Sequence, residues 1–305
     1  MSAVRLGTWP VESPEWTAAR AHGLGGSEIA AVLGLSKWDS HYSLWHRKSG
    51  NLPDRNLKDE MDAGRRLEPV ILAWWREQHP DLVGRRAGTY ASRQRPWQIA
   101  NPDFIAHTRT RESADRRHHG ERVGIVEAKY ALYDYEWGTE DTDEVPPYYL
   151  TQAQWYLDVF DLGVCYLPMF VGSQGQFREY VINADPADQE LLRTAAAEFM
   201  ASLEAGEEPT IDEHSATYEA IRTLHPGIDR ELAVDIPADA WLTYESTKTA
   251  ADELVASHRR AKSVVLDLLG DARIGLLAGE PVLRRQPAGS NGAVALHPVK
   301  KKVLI

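Results

Sequence analysis

The chain has 305 residues, of which 43% are apolar and 26% charged, and its formal net charge is −11. These values describe an ordinary globular protein with room for one full domain and an appendage. No run of about 18 apolar residues argues for a membrane span, and the single cysteine, Cys165, excludes an internal disulfide or any four-cysteine zinc or iron–sulfur site within one chain.

The opening stretch MSAVRLGTWPVESPEW has no apolar h-region, so no secretory signal is expected and the expected compartment is cytoplasmic. GGSEIAAVLGLS predicts a short apolar helix with Ser27 as its N-cap and an end near Gly34. DSHYSLWHRKSG repeats that logic, with Ser40 as cap and Gly50 as stop. A longer helix is predicted over MDAGRRLEPVILAWWREQHP, where Leu67, Ile71, Leu72, Trp74 and Trp75 share helical spacing and Pro80 ends it.

From about residue 84 the period changes to two. RRAGTYAS, WQIANPDFIAHT and RVGIVEAKYALY predict three successive strands, with a polar, basic loop at 109–121. A helix follows over PYYLTQAQWYLDVFD, introduced by two prolines. GVCYLPMFV and FREYVIN predict a hairpin around GSQG, and PADQELLRTAAAEFMASLEAG a helix stopped by Gly206. Beyond Glu207-Glu208-Pro209 come one long amphipathic helix, in ADAWLTYESTKTAADELVASHRRAKSVVLDLLG, and a tail of short strands. The expected architecture is an α/β core over 1–208, a central mixed sheet flanked by helices, with a C-terminal helical extension over 209–305.

Charge is unevenly spread. Residues 85–122 hold nine arginines against four acids, whereas residues 134–161 hold eight acids and no Lys or Arg. Residues 185–231 hold twelve acids against three arginines. Such runs are usually solvated faces, but a basic segment beside an acidic remainder also suits a protein that grips a phosphate backbone in one place.

The chemistry concentrates around VGIVEAKY, residues 123–130. Glu127 and Lys129 leave one face of a strand about 7 Å apart. Alone, such a pair is ordinarily a surface ion pair. In ANPDFIAH, however, Pro102-Asp103 puts a second carboxylate at the start of a neighbouring strand. Asp103, Glu127 and a backbone carbonyl, naturally that of Ala128, form a hard-oxygen site suited to Mg²⁺. Lys129 beside them can orient or help deprotonate an attacking water. Glu68, polar at the head of an apolar helix, can add a carboxylate directly or through water.

An acid on a helix, then P-D and E-x-K on successive strands, resembles the PD-(D/E)xK nuclease superfamily. RAHGLGGSEIAAVLGLSKWDSHYSLWHRKSG, GRRLEPVI, ANPDFIAH, GIVEAKY and PPYYLTQAQWYLDVF follow in the order of one branch. From about Trp16 to Val181 the chain resembles the YqaJ-type viral recombinase family, relatives of the phage lambda exonuclease. That resemblance implies a restriction-endonuclease-like core in which Glu68, Asp103 and Glu127 hold one or two Mg²⁺ ions, with Mn²⁺ as a substitute, and Lys129 assists the water. It implies that Gln152 and Tyr156, i and i+4 on one helix face, back the site. Arg20 and Ser27 match residues that contact DNA phosphate at the severed 5′ end, where a GGS backbone at a helix N-terminus suits an anion.

The resemblance thus implies a Mg²⁺-dependent exonuclease on double-stranded DNA ends, acting 5′→3′ and leaving 3′ single strands for an annealing protein. A ring-shaped homo-oligomer is a further expectation, as is the absence of an iron–sulfur cluster and of membrane association. Two rivals stand beside it: an endonuclease with the same site, and a non-catalytic DNA-end or protein-binding module. The 109–121 loop is longer than its connection needs and is a candidate contacting insert, and its His118 and His119 are read as solvated.

Overall fold

The computed structural model describes residues 3–10, 13–21, 23–53, 59–110, 120–288 and 293–299. The insert's centre, with His118 and His119, lies outside the described residues. The chain divides into two compact units, residues 1–227 and 228–305.

The first unit begins with β1 (Ala3–Gly7), α1 (Pro14–Ala21), β2 (Leu24–Gly25) and the short α2 (Ile29–Val32). Then come α3 (His41–Lys48), α4 (Asp59–Gln78), β3 (Leu82–Arg86), β4 (Thr89–Ser92) and β5 (Gln98–Ala100). The catalytic candidates lie around β6 (Phe104–Thr108), β7 (Arg122–Val126), β8 (Lys129–Ala131) and α5 (Pro147–Phe160). The hairpin β9 (Val164–Val171) and β10 (Gln176–Asn183) leads into α6 (Pro186–Ala205) and α7 (Ser215–Leu224). The second unit consists of α8 (Ala238–Leu269), β11 (Ile274–Leu277), β12 (Glu280–Ala288) and β13 (Ala293–Pro298).

The helix signals act as expected at several ends. Ser40 caps α3 in a reciprocal box: Ser43 N donates to Ser40 Oγ and Ser40 N to Ser43 Oγ, each at 3.0 Å. Gly206 ends α6 at φ +69°, a left-handed turn that costs glycine little. One cap differs from expectation. Glu28, not Ser27, occupies the N-cap position of α2, with no side-chain cap bond, and Ser27 lies exposed in the preceding turn.

Each of the three long predicted strands is interrupted. The first divides into β3 and β4, the second into β5 and β6, the third into β7 and β8. The first two breaks carry the chain between sheets. One sheet runs β1-β4-β5-β2; the other runs β10-β9-β7-β6-β3, with β8 continuing beside β9. In the larger sheet β7 pairs β9 in parallel, whereas β3–β6, β6–β7 and β9–β10 are antiparallel, which makes the sheet mixed.

Helices cover both faces of that sheet. Leu72 and Trp75 of α4 pack with Leu82, Phe104, Ala106 and Val126 on one side. Trp155 and Leu157 of α5 and Phe199 of α6 pack in a common core with Ile105, Ile125 and Leu167. The large fully buried rings and aliphatic chains in these two layers supply the apolar burial that holds the sheet between them.

The first unit runs to residue 227, and α7 packs on α3 within it. Thr217 of α7 donates to Ser40 Oγ at 2.6 Å, and Tyr42 of α3 donates to Glu208 Oε1 at 2.8 Å. The second unit has a 32-residue helix with no buried residue, then an antiparallel sheet ordered β11-β12-β13. Among the described residues no helix is long and apolar enough to cross a membrane.

Ser40 therefore serves two elements at once. Ser40→Ala should remove the α3 cap and the Thr217 contact, lowering urea unfolding stability by roughly 1–2 kcal/mol. An unchanged urea midpoint would show that neither bond contributes.

Candidate active site

The antiparallel register sets Phe104 of β6 opposite Val126 of β7, so Asp103 and Glu127 extend from adjacent strand ends. They are bonded across the gap: Asp103 N donates to Glu127 Oε2 at 3.3 Å, and Ala128 N donates to Asp103 Oδ2 at 2.7 Å. The break between β7 and β8 has a local cause. Val126 aligns with Tyr166 and Lys129 with Met169, so the parallel register is kept through the gap. Glu127 N donates to Tyr166 O at 3.0 Å, and the next ladder donor, to the Glu127 carbonyl, would be the N–H of residue 168. That residue is Pro168, which has none. The Glu127 carbonyl is thereby left without its ladder donor, and the Ala128 N–H, which faces away from β9, donates to Asp103.

Register through the break keeps Glu127 and Lys129 together. Both are buried, and Lys129 Nζ donates to Glu127 Oε1 at 3.0 Å. Helix α5 supplies the remaining walls. Lys129 Nζ also donates to Gln152 Oε1 at 2.8 Å, and Gln152 Nε2 donates to Glu127 Oε1 at 2.8 Å. Tyr156 OH meets Gln152 Nε2 at 3.0 Å, and Lys129 Nζ lies 4.5 Å from the centre of the Tyr149 ring. Tyr149, Gln152 and Tyr156 fall at i, i+3 and i+7, a single helical stripe.

The electrostatics are those of an anionic pocket with one internal cation. Burial, then the charges of Glu127 and Glu68, push the Asp103 carboxyl well above its usual range, against the Ala128 N–H and Lys129. Burial alone would lower Lys129, but Glu127, Tyr149 and Asp103 outweigh it and hold the ammonium above its ordinary value. Asp103 Oδ1 accepts no hydrogen bond among the described residues, and Asn101 Oδ1 beside it is buried without a donor. Carboxylates crowded in this way, with hard-oxygen acceptors left over, fit a divalent cation.

Glu68 does not join them. It pairs with Arg86 at 3.1 Å, and among the described residues no group of three His, Cys, Asp or Glu side chains is placed to hold a metal. Its charge is felt at Asp103, but its carboxylate is engaged elsewhere.

A second polar cluster abuts the first. Arg20 Nη2 donates to Ser27 Oγ at 3.5 Å and pairs with Glu28 at 3.2 Å, so the two expected phosphate residues do meet. Glu28 also accepts from Lys48 Nζ and from Gly25 N at 2.7 Å. Gly26 lies against α5: a Cβ there would be 2.5 Å from Tyr156 Cε1, so only glycine permits this approach. The GGS turn thereby touches the helix carrying Gln152.

Sequence reasoning missed Glu28, Lys48, Tyr149 and Pro168. The helical stripe through Gln152 and Tyr156 could have revealed Tyr149. Nothing local marks Lys48, which reaches Arg20 O and Gly23 O from α3. Gln154, the second glutamine of the helix, is structural: it donates to Asn183 O and accepts from Asp185 N, tying α5 to the start of α6.

Comparison with known proteins bears on this arrangement. A family model for the YqaJ-like viral recombinase domain matches residues 15–162. The uncharacterized protein YqaJ of Bacillus subtilis (strain 168) is 24% identical over 274 residues, covering 86% of this chain and 80% of that protein. Among solved structures, the alkaline exonuclease LHK-Exo of Laribacter hongkongensis is similar at 20% identity and a TM-score of 0.49. It covers 64% of this chain and 94% of that chain. LHK-Exo in complex with dAMP gives 19% identity, the same coverage and a TM-score of 0.50. The fold shared with LHK-Exo is a mixed α/β core with its sheets flanked by helices.

The Arg20–Glu28–Lys48 cluster predicts a pH dependence. Burial would raise Glu28, but Arg20, Lys48 and the Gly25 N–H together lower its carboxyl from 4.5 to about 2. A depressed carboxyl contributes stability that is complete above its unfolded value and is lost as pH falls from about 4.5 towards about 2. Wild type should therefore be more stable than Glu28→Gln at neutral pH, with the difference in urea midpoint shrinking below pH 4.5. A difference that stays constant through that window would refute the assignment.

Proposed function

We propose, for a chain that carries a YqaJ-like viral recombinase domain over residues 15–162, that it is a divalent-metal-dependent deoxyribonuclease working from double-stranded DNA ends. The observation that carries this reading is the buried Glu127–Lys129–Gln152 cluster set against Asp103 at two adjacent strand ends. Burying an acid, an ammonium and an amide together is costly for a structural purpose, and apolar residues would pack the same space more cheaply. The fold of LHK-Exo and the family of phage-type recombinases support the same class.

Asp103, Glu127 and the Ala128 carbonyl are the groups that would hold the metal ion, Mg²⁺ or Mn²⁺. Bound there, it would supply Lewis acidity at the scissile phosphate. Lys129, kept as an ammonium, donates towards the attacking water or a phosphate oxygen, where negative charge develops. A water oxygen bonds to phosphorus as its proton passes to solvent, and the P–O bond to the sugar oxygen breaks, with that oxygen taking a proton from solvent. Gln152 positions Lys129 and Glu127 against each other, and Tyr156 positions Gln152. Glu68 contributes through water once it releases Arg86.

Arg20, Ser27 and the GGS backbone receive the phosphate at the severed 5′ end. Their contact with α5 through Gly26 and Tyr156 supports that role, and with it 5′→3′ polarity. The product would be a 3′ single strand for an annealing protein, and a ring-shaped homo-oligomer would keep the enzyme on its duplex. These last features rest on the family.

The Glu68–Arg86 pair favours a second reading, a module that binds DNA ends without cutting them. Digestion of end-labelled linear duplex with Mg²⁺ or EDTA separates the two. Wild type should degrade the linear duplex only with Mg²⁺, and Lys129→Ala should be slower by roughly 10²–10⁴. Equal digestion by both proteins would remove the assigned site, and DNA binding without digestion by either would establish the module. Rapid cutting of covalently closed circles would make the protein an endonuclease.

A further inference from the structure

Beyond the candidate active site, arginines line a cavity of about 890 Å³ at the edge strand β3. Its lining includes Arg5 of β1, Arg76 of α4, Arg85 and Arg86 of β3, His107 of β6 and Arg122 of β7. Three of these arginines belong to the basic segment 85–122, and two come from distant parts of the chain. Four elements thus deliver guanidinium groups to one concavity in a protein whose formal net charge is −11.

Among the described residues Arg5, Arg76 and Arg122 pair with no acid. Arg86 pairs with Glu68. Arg76 donates to the Gly84 carbonyl at 3.2 Å and lies 4.3 Å above the Phe104 ring, both uncharged partners. Arg5 donates to the Thr8 hydroxyl, and Arg122 has no ion pair among the described residues. Burial and the nearby Arg86 charge lower Arg76, a direct sign of crowding. Like charges held at a concave surface repel one another unless an anion lies among them. Guanidinium groups converging from several directions match the tetrahedral oxygens of phosphate.

The cavity lining is also tied to the candidate active site by hydrogen bonds. Arg86 on its rim bonds Glu68, and Ala87 N, the next residue, donates to Asp103 O at 3.1 Å. We infer that this cavity binds the phosphodiester backbone of the DNA strand that runs on from the candidate active site. The identity of the anion rests on the nuclease reading; the cation cluster does not. Arg86 then has a second role, as it can exchange Glu68 for a phosphate and release that carboxylate towards Asp103.

The test is DNA binding without catalysis, in EDTA. Fluorescence anisotropy of a labelled duplex of roughly 20 base pairs would be measured from about 50 to 200 mM salt. Arg5 and Arg122 are both exposed, so Arg5→Ala/Arg122→Ala should leave the fold intact, as circular dichroism would verify. Arg222→Ala/Arg259→Ala makes the same change in net charge at exposed helical residues that do not line the cavity. The cavity variant should bind about tenfold more weakly and lose about two from the slope of log K against log salt. The control should match wild type.

Equal weakening by both variants, no effect of the cavity variant, or no binding by wild type would each overturn the inference. The outcome is independent of the digestion assay. If the cavity variant weakens binding while wild type digests nothing with Mg²⁺, the nuclease reading fails and the cavity still stands as a DNA site.

Discussion

The Glu127 carboxylate is the point on which the rest of the site depends. Buried and ionised, it would be untenable without donors on both oxygens. Oε1 receives Lys129 and Gln152, and Oε2 receives the Asp103 backbone N–H. These three donors come from β8, from α5 and from the turn before β6. One carboxylate therefore fixes a strand, a helix and a loop relative to each other. Lys129 is bound by the same logic in reverse: without Glu127 and the Gln152 oxygen, its burial would expel the charge. Asp103 alone in the cluster keeps an oxygen without a donor, and that leaves the net negative charge a cation would relieve.

Pro168 acts on the site from the neighbouring strand. In a parallel ladder Glu127 turns its N–H and carbonyl to β9, whereas Ala128 turns its own away. With no N–H at 168, the Glu127 carbonyl lacks its ladder donor, and the same register resumes at Lys129–Met169. The Ala128 N–H, facing away from β9, reaches Asp103, and Lys129 stays on the face of Glu127. A bulge would have shifted register and separated Glu127 from Lys129. A missing donor on the neighbouring strand preserves side-chain alternation while altering the backbone, and that is the combination the site requires.

This explains which features were legible in the sequence. Ser40, Gly206 and the Pro-introduced helix α5 act through local backbone chemistry, and each appears where spacing places it. The pairing of Asp103 with Glu127 was also readable, because alternation fixes which residues share a sheet face. The strand breaks were not. Apolar residues continue through both halves of each interrupted strand, since both halves are buried. Ser27 was misassigned as a cap because an N-cap and an exposed hydroxyl beside an arginine look alike in sequence. Residue 208 marked a change of texture, but α7 still buries Thr217 and Ala220 against the first unit. The cavity arginines, from four separate elements, have no common sequence signal.

Those arginines also bear on how an acidic protein can hold DNA. At about 0.15 M salt, charges act over roughly 8 Å. Beyond that distance a phosphate scarcely senses the net charge of −11, and the groups within reach decide the outcome. Near Asp103 and Glu127 those groups are mainly acidic, so on the proposed nuclease reading a scissile phosphate would be repelled until a metal ion neutralised them. Binding energy must then come from neighbouring phosphates. Arg20 and Lys48 lie on one side of α5's contact with the GGS turn, although Glu28 already takes part of their charge. The β3 cavity adjoins Asp103 through the Ala87 N–H, and of its arginines Arg86 pairs with Glu68. A cationic grip flanking an anionic centre separates holding the strand from cutting it. It follows that weakening the grip should affect affinity and salt dependence, whereas weakening the centre should affect the chemical step.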